Sequence, residues 1–198
     1  MAWYDVDFAC GHTGSIQLYG NDERRKNRIE YLEQFGICPT CYKKEQEAAR
    51  EKKCAENNSM NDAGYLTVTF YLSEQYIDKP HSVQSVQIAA VKMQGSPKQI
   101  SWAVDKKIEL CKRIIEHNLI SATDSMDELL KNAASFDPKL DTFQAIVDWT
   151  VDNLPLPVLK KALETESASK IIGTNLIAEY EKECWENYEK ECRENAKK

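Results

Sequence analysis

The sequence predicts an α+β fold, mostly helical: a small Cys3His zinc module made of a hairpin and helices, followed by a strand pair and a helical domain. Three observations carry that reading. Two chelating pairs, Cys10 with His12 in "CGH" and Cys38 with Cys41 in "CPTC", stand at either end of a short strand-then-helix pattern. The segments "YLTVTFYLS" and "SVQSVQIAAVKM" carry the two-residue period and the β-branched and aromatic content of strands. Beyond Gly95, apolar residues recur at spacings of three and four, as in helices packed on one face. Between the two parts, "CAENNSMNDAG" (Cys54 to Gly64) is rich in Asn and Ser and predicts a linker, with domains at 1–58 and 64–198.

In order along the chain, "WYDVDFA" and "SIQLYG" alternate and predict two short strands. Between them, Gly11 and Gly14 let the backbone turn tightly enough for Cys10 and His12 to face one ion. "NDERRKNRIEYLEQFG" is helical, with Asn21 or Asp22 as N-cap, acids in the first turn, Ile29, Leu32 and Phe35 on one side, and Gly36 as the stop. In "CPTC" the proline fixes the turn, and the helix-forming "YKKEQEAAREKK" places Cys41 at a helix N-terminus, where the dipole and free amides favour a thiolate. Three thiolates and one imidazole make the closed tetrahedral set of a structural zinc site, with no open position for substrate water. Two other readings stay open: Cys10 and Cys38 as core cysteines beside a surface His12, and Cys38 with Cys41 as a redox pair, which the upstream CGH opposes.

The second region begins with the strand pair, read as antiparallel, whose connection contains "DKPH" and places His81 in a polar loop. "GSPKQISWAVDKKIELCKRIIEHN" follows as the most regular helix: Ser96 caps it, Pro97 opens it, and Ile100, Val104, Ile108, Cys111 and Ile115 form the buried stripe. Lys106 is read as outward, and His117 sits where positive charge complements the helix end. "TDSMDELLKNAAS" is a short amphipathic segment, and "DTFQAIVDWTVDNLP" starts at a capping Asp141 and presents Ile146, Val147 and Leu154 before "LPLP" forces a corner. The remainder, "ESASKIIGTNLIAEYEKECWENYEKECRENAKK", reads as one long helix, apolar at Ile171, Ile172, Leu176 and Ile177, then aromatic at Tyr180, Trp185 and Tyr188 with Cys184 between them. That stripe fits a face docked on its own core or, if the helix projects, a partner-binding or dimer helix.

Composition bounds the function. The 198 residues, 42% hydrophobic and 29% charged, suffice for a sizeable core with a small module beside it. A formal charge of −6 opposes wholesale coating of nucleic acid, so any such contact is local. The N-terminus lacks the basic flank and apolar run of a leader, and no stretch is apolar enough to span a bilayer, so the expected location is cytoplasmic, with the seven cysteines as thiols or metal ligands. Arg24, Arg25 and Arg28 on the first helix are the candidate partner-binding residues, although interleaved acids such as Glu30 and Glu33 also suit a solvated helix face. GxSxG, HExxH and a glycine-rich phosphate loop are missing, and Thr13 and Gly14 after His12 break the deaminase pattern, so no enzyme is expected.

"FACGH", "CPTCY" and "GSPKQISWAVDKKI", in that order, resemble a group of bacterial zinc-ribbon-like proteins, often carried on plasmids, phages or conjugative elements, that share CGH, CPxCY and GSxKQIxWA motifs. The chain departs from the group at Asp105–Lys106–Lys107, where acid and arginine are expected, and "DWTVDN" matches a later motif only loosely. The resemblance implies a zinc-bearing protein of accessory or mobile genomes and brings no enzymatic activity with it. The leading expectation is a non-enzymatic, zinc-stabilised interaction protein with a protein partner. Two alternatives are a phage or mobile-element inhibitor of a host defence nuclease (anti-CRISPR or anti-restriction), and a DNA-binding accessory factor that uses the basic helix.

Overall fold

The computed structural model describes residues 2–72, 82–120, 126–153 and 157–195. The readings at His81, Leu154 and the "LPLP" corner up to Leu156 lie outside the described residues. The fold is α+β and mostly helical, with two small antiparallel strand pairs. It divides into two compact units, Met1–Lys53 and Cys54–Lys198.

In the first unit, β1 (Ala2–Asp7) pairs with β2 (Thr13–Leu18), setting Val6 opposite Gly14 and Tyr4 opposite Ile16. Alternation sends Val6 inward and Trp3, Asp5 and Asp7 outward, where Thr13 Oγ1 donates to Asp7 at 2.7 Å and Ser15 donates to Asp5. Helix α1 (Asp22–Phe35) starts where the Asn21 side chain accepts the Arg24 N–H at 3.0 Å. It ends at Gly36, where a Cβ would lie 2.7 Å from Leu32, so only glycine lets the chain pass the last turn this closely. Ile29 and Leu32 pack inward as expected. Phe35 does not: it is 68% exposed and lies against Tyr31, ring centroids 5.8 Å apart, because Gly36 turns the chain inward one residue after it. No residue of α1 is buried, and the buried hydrophobic residues of this unit are Val6, Phe8 and Cys38.

Helix α2 (Pro39–Ala63) corrects the linker reading. "CAENNSMNDA" forms its last turns, and the boundary between the units falls inside it, after Lys53 rather than after 58. The asparagines that signal a loop are here buried ligands of the second unit's backbone. Asn61 donates to the Met93 carbonyl at 3.1 Å and accepts the Met93 N–H at 2.7 Å, pairing with it as a strand residue would. Asn57 reaches the Ser101 carbonyl and the Asp105 carboxylate, each at 3.0 Å.

In the second unit, β3 (Tyr65–Leu72) and β4 (Ser82–Ala89) pair with Val68 opposite Val86 and Leu66 opposite Ile88. These residues and Phe70 turn one face to α3 (Pro97–Ile115) and α5 (Phe143–Asn153), with Phe70 edge-on to Phe143 at 5.6 Å. Gln144 of α5 covers the outer edge of β4 by accepting the Gln87 N–H and donating to the Gln87 carbonyl, both at 2.8 Å. Around this core stand α4 (Met126–Phe136), α6 (Pro157–Glu164), α7 (Ala168–Gly173) and α8 (Leu176–Asn195).

Ser96 and Gln99 form a reciprocal capping box at the start of α3, with Pro97 in the first turn. Its buried face is wider than predicted and rotated: Ala103, Val104, Lys107, Leu110, Cys111, Ile114 and Ile115 are buried, whereas Ile100 and Ile108 are half-buried at its margin. Lys106 is not a free surface residue, since its ammonium donates to the Ile172 and Thr174 carbonyls at 2.7 and 2.9 Å. That same contact explains a second correction. The single long C-terminal helix is two, because Thr174 is extended, its carbonyl turned to Lys106, and Asn175 restarts the chain by accepting the Ala178 N–H at 3.3 Å.

Candidate metal centre

The loop after β1 reverses within five residues. Phe8 donates its N–H to the His12 carbonyl at 3.0 Å, and Gly11 donates to the Phe8 carbonyl at 2.8 Å. Gly11 has φ +78, in the left-handed region, which is what lets Cys10 and His12 lie on one side of so short a turn. The Ala9 N–H, bonded to the Leu32 carbonyl at 3.2 Å, ties this loop to the last turn of α1.

The second pair is set by a helix start. Cys38 occupies the N-cap position of α2, its Sγ accepting the Cys41 N–H at 3.3 Å as a capping oxygen would. Its own N–H points at Cys10 Sγ, 3.2 Å away, and Cys41 Sγ lies 3.4 Å from His12 Nδ1. All four donor atoms of Cys10, His12, Cys38 and Cys41 fall within 4.8 Å of one another. Bonds of about 2.0–2.3 Å to a tetrahedral ion put donors roughly 3.3–3.8 Å apart, so the cluster can hold a metal ion with little adjustment. Among the described residues this is the one group of His, Cys, Asp and Glu side chains placed to share an ion.

The electrostatics favour a cation there. The Cys38 backbone N–H, and then the His12 ring, hold the Cys10 thiol down to about 6. Cys41 is pushed up to about 11, first by its hydrogen bond with Cys38, then by desolvation and the neighbouring thiol of Cys10. Taken by themselves, the surroundings favour a thiolate at Cys10 and oppose one at Cys41. A divalent ion removes that opposition, and the helix start and backbone amides already favour thiolates.

The other predicted site residues divide. Arg24 and Arg28 are exposed on α1, with the Arg28 guanidinium over the Tyr31 ring at 5.1 Å. Arg25 does not join them: its side chain is 16% exposed, ion-paired to Asp22 and laid over the Tyr4 ring at 5.9 Å, so it belongs to the packing of the module. Cys111 is buried and its thiol pushed up to about 12 by burial, as a small hydrophobe. Sequence reasoning missed the capping role of Cys38, for which proline directly after the cysteine was the available signal. It also missed Tyr4 as packing with Ile16 against Val6, Phe8 and Cys38, which its inward position beside Val6 could have indicated.

Comparison with protein-family models, curated proteins and solved structures finds no match to this chain. No helix among the described residues is long and apolar enough to cross a membrane.

Proposed function

We propose that the chain is a non-enzymatic macromolecular interaction protein whose first unit is held together by one structural zinc ion at Cys10, His12, Cys38 and Cys41. The observation that carries this reading is the meeting of all four donors in a unit whose buried hydrophobic residues are Val6, Phe8 and Cys38. A unit of this size with so small a core needs a staple, and metal binding supplies on the order of 10 kcal/mol in small zinc domains. Thiolate and imidazole donors suit zinc over the hard divalent ions, and four protein ligands complete its shell, which leaves no place for a catalytic water. Residues that the module does not need for folding are then available for a partner. Arg24 and Arg28, with the outward Tyr31 and Phe35, make a surface of cations and rings on α1.

The test is capture from a host lysate by the wild-type chain, by Arg24→Glu/Arg28→Glu and by Cys38→Ser. A partner held by the wild type and lost from both variants is expected, the charge reversal leaving metal content and melting unchanged because exposed charges contribute only ~0–1 kcal/mol. Retention by both variants would overturn the reading. If what is lost is DNA, with affinity falling steeply as salt rises, the partner surface reads phosphates instead of protein.

A further inference from the structure

We propose that the groove between the end of α3 and the aromatic face of α8 is a docking site for a basic, amphipathic segment of a partner protein. It lies in the second unit and goes beyond the zinc-module reading, so either can fail without the other. The groove encloses about 720 Å³. Its floor is the buried Tyr180, whose hydroxyl lies 2.8 Å from His117 Nδ1 and accepts from Asn118 Nδ2 at 3.3 Å. There α3 gives way to a π-helical turn, Glu116–Ile120, a departure from regular helix that recurs at functional sites. Beyond it α8 continues with Trp185 and Tyr188 uncovered, 62% and 58% exposed, their rings tilted 5.9 Å apart. Large aromatics presented together on a rigid helix are the residues that anchor protein interfaces.

Charge identifies the occupant. The sequence of α8 holds seven glutamates against Lys182, Lys190 and Arg193. Glu179 and Glu183 turn toward α6, the first pairing with Lys161 at 3.6 Å and the second accepting the Val158 N–H at 3.1 Å. Glu181, Glu186 and Glu189 stay on the exposed side, in pairs with Arg113, Lys182 and Arg193 that are solvent-facing and so exchange readily. Glu116, in a further partly exposed pair with Lys112 at 3.7 Å, adds a carboxylate to the rim. A helix-forming segment with apolar residues at spacings of three and four would cover Trp185 and Tyr188, while its lysines and arginines met these glutamates. A second copy of this chain would instead set two acidic helices face to face.

The experiment pans the full reduced chain against a phage-displayed library of random peptides long enough for four helical turns, then titrates the selected peptides by fluorescence anisotropy. Expected are peptides with an excess of Lys and Arg and helical apolar spacing, whose affinity weakens with rising salt. The double variant Trp185→Ala/Tyr188→Ala should bind them roughly tenfold or more weakly while melting like the wild type, and Trp102→Ala, which removes an exposed tryptophan elsewhere, should bind normally. Failure to enrich any peptide, peptides without basic excess, or equal binding by the double variant would overturn the proposal. So would sedimentation showing that Trp185 and Tyr188 hold two copies of the chain together.

Discussion

Lys107 and its neighbour Lys106 stand side by side on α3 and reach two different helix ends. The Lys107 ammonium donates to the Leu163 and Thr165 carbonyls at 3.4 and 3.2 Å, where α6 finishes, as Lys106 does where α7 finishes. Each places positive charge at the negative end of a helix and satisfies carbonyls that have no partner within it. Lys107 does so at 0% exposure, and burial lowers it from 10.5 to about 8, against a smaller opposing effect of Cys111. Below about pH 8 the group is charged whether folded or unfolded, and the fold bears the full cost of its desolvation. Between about 8 and 10.5 the unfolded chain binds the proton that the folded chain has released, so this residue makes stability rise with pH. The melting temperature of the wild type relative to Lys107→Met should therefore increase from about pH 7.5 toward about pH 9.5, other titrating groups being common to both chains. A difference that is flat or shrinks over that range would show that Lys107 does not titrate there. The sequence offers no sign of this role, because the carbonyls it satisfies lie more than fifty residues away.

At the scale of elements, α2 shows where local reading and tertiary packing part. Asn and Ser are poor helix formers that signal loops, yet from Cys54 to Ala63 they continue the helix begun at Pro39. Packing outweighs propensity because Asn61 satisfies the buried N–H and carbonyl of Met93, while Asn57 fixes the helix to α3 through the Ser101 carbonyl and the Asp105 carboxylate. Asn61→Ala leaves both the N–H and the carbonyl of Met93 without their partner and should cost about 2 kcal/mol, read as a shift in urea midpoint. Ser59→Ala, on the exposed side of the same turn, should stay within about 0.5 kcal/mol. Equal costs would mean that the asparagine ladder is incidental to the helix. Elsewhere local chemistry was enough: Ser96 with Pro97 marked the start of α3, Asn21 that of α1, and strand alternation both hairpins. The rotation of the α3 buried face was hidden because Lys107 shares it with the aliphatics, and a lysine reads as outward.

For the molecule as a whole, the cluster that can hold a metal ion was legible, whereas the continuation of α2 across the boundary between the units was not. Four chelating side chains in two turn-forming motifs declare themselves by residue type and spacing alone, and the fold brings them within 4.8 Å. What spacing could not reveal is how little else the first unit buries, and it is this that makes the ion central to the account. The most direct test is a calorimetric titration of the reduced, chelator-stripped chain with zinc at neutral pH, repeated in buffers of different ionisation enthalpy and followed by hydrogen exchange. The account predicts one zinc per chain and net proton release, since Cys10 lies near 6 but Cys41, near 11, must give up its proton to bind. Protection from exchange should be gained throughout residues 2–53, and both uptake and protection should be lost in Cys38→Ser. A reduced chain that takes up no zinc, or whose first unit is equally protected with and without it, would contradict the account.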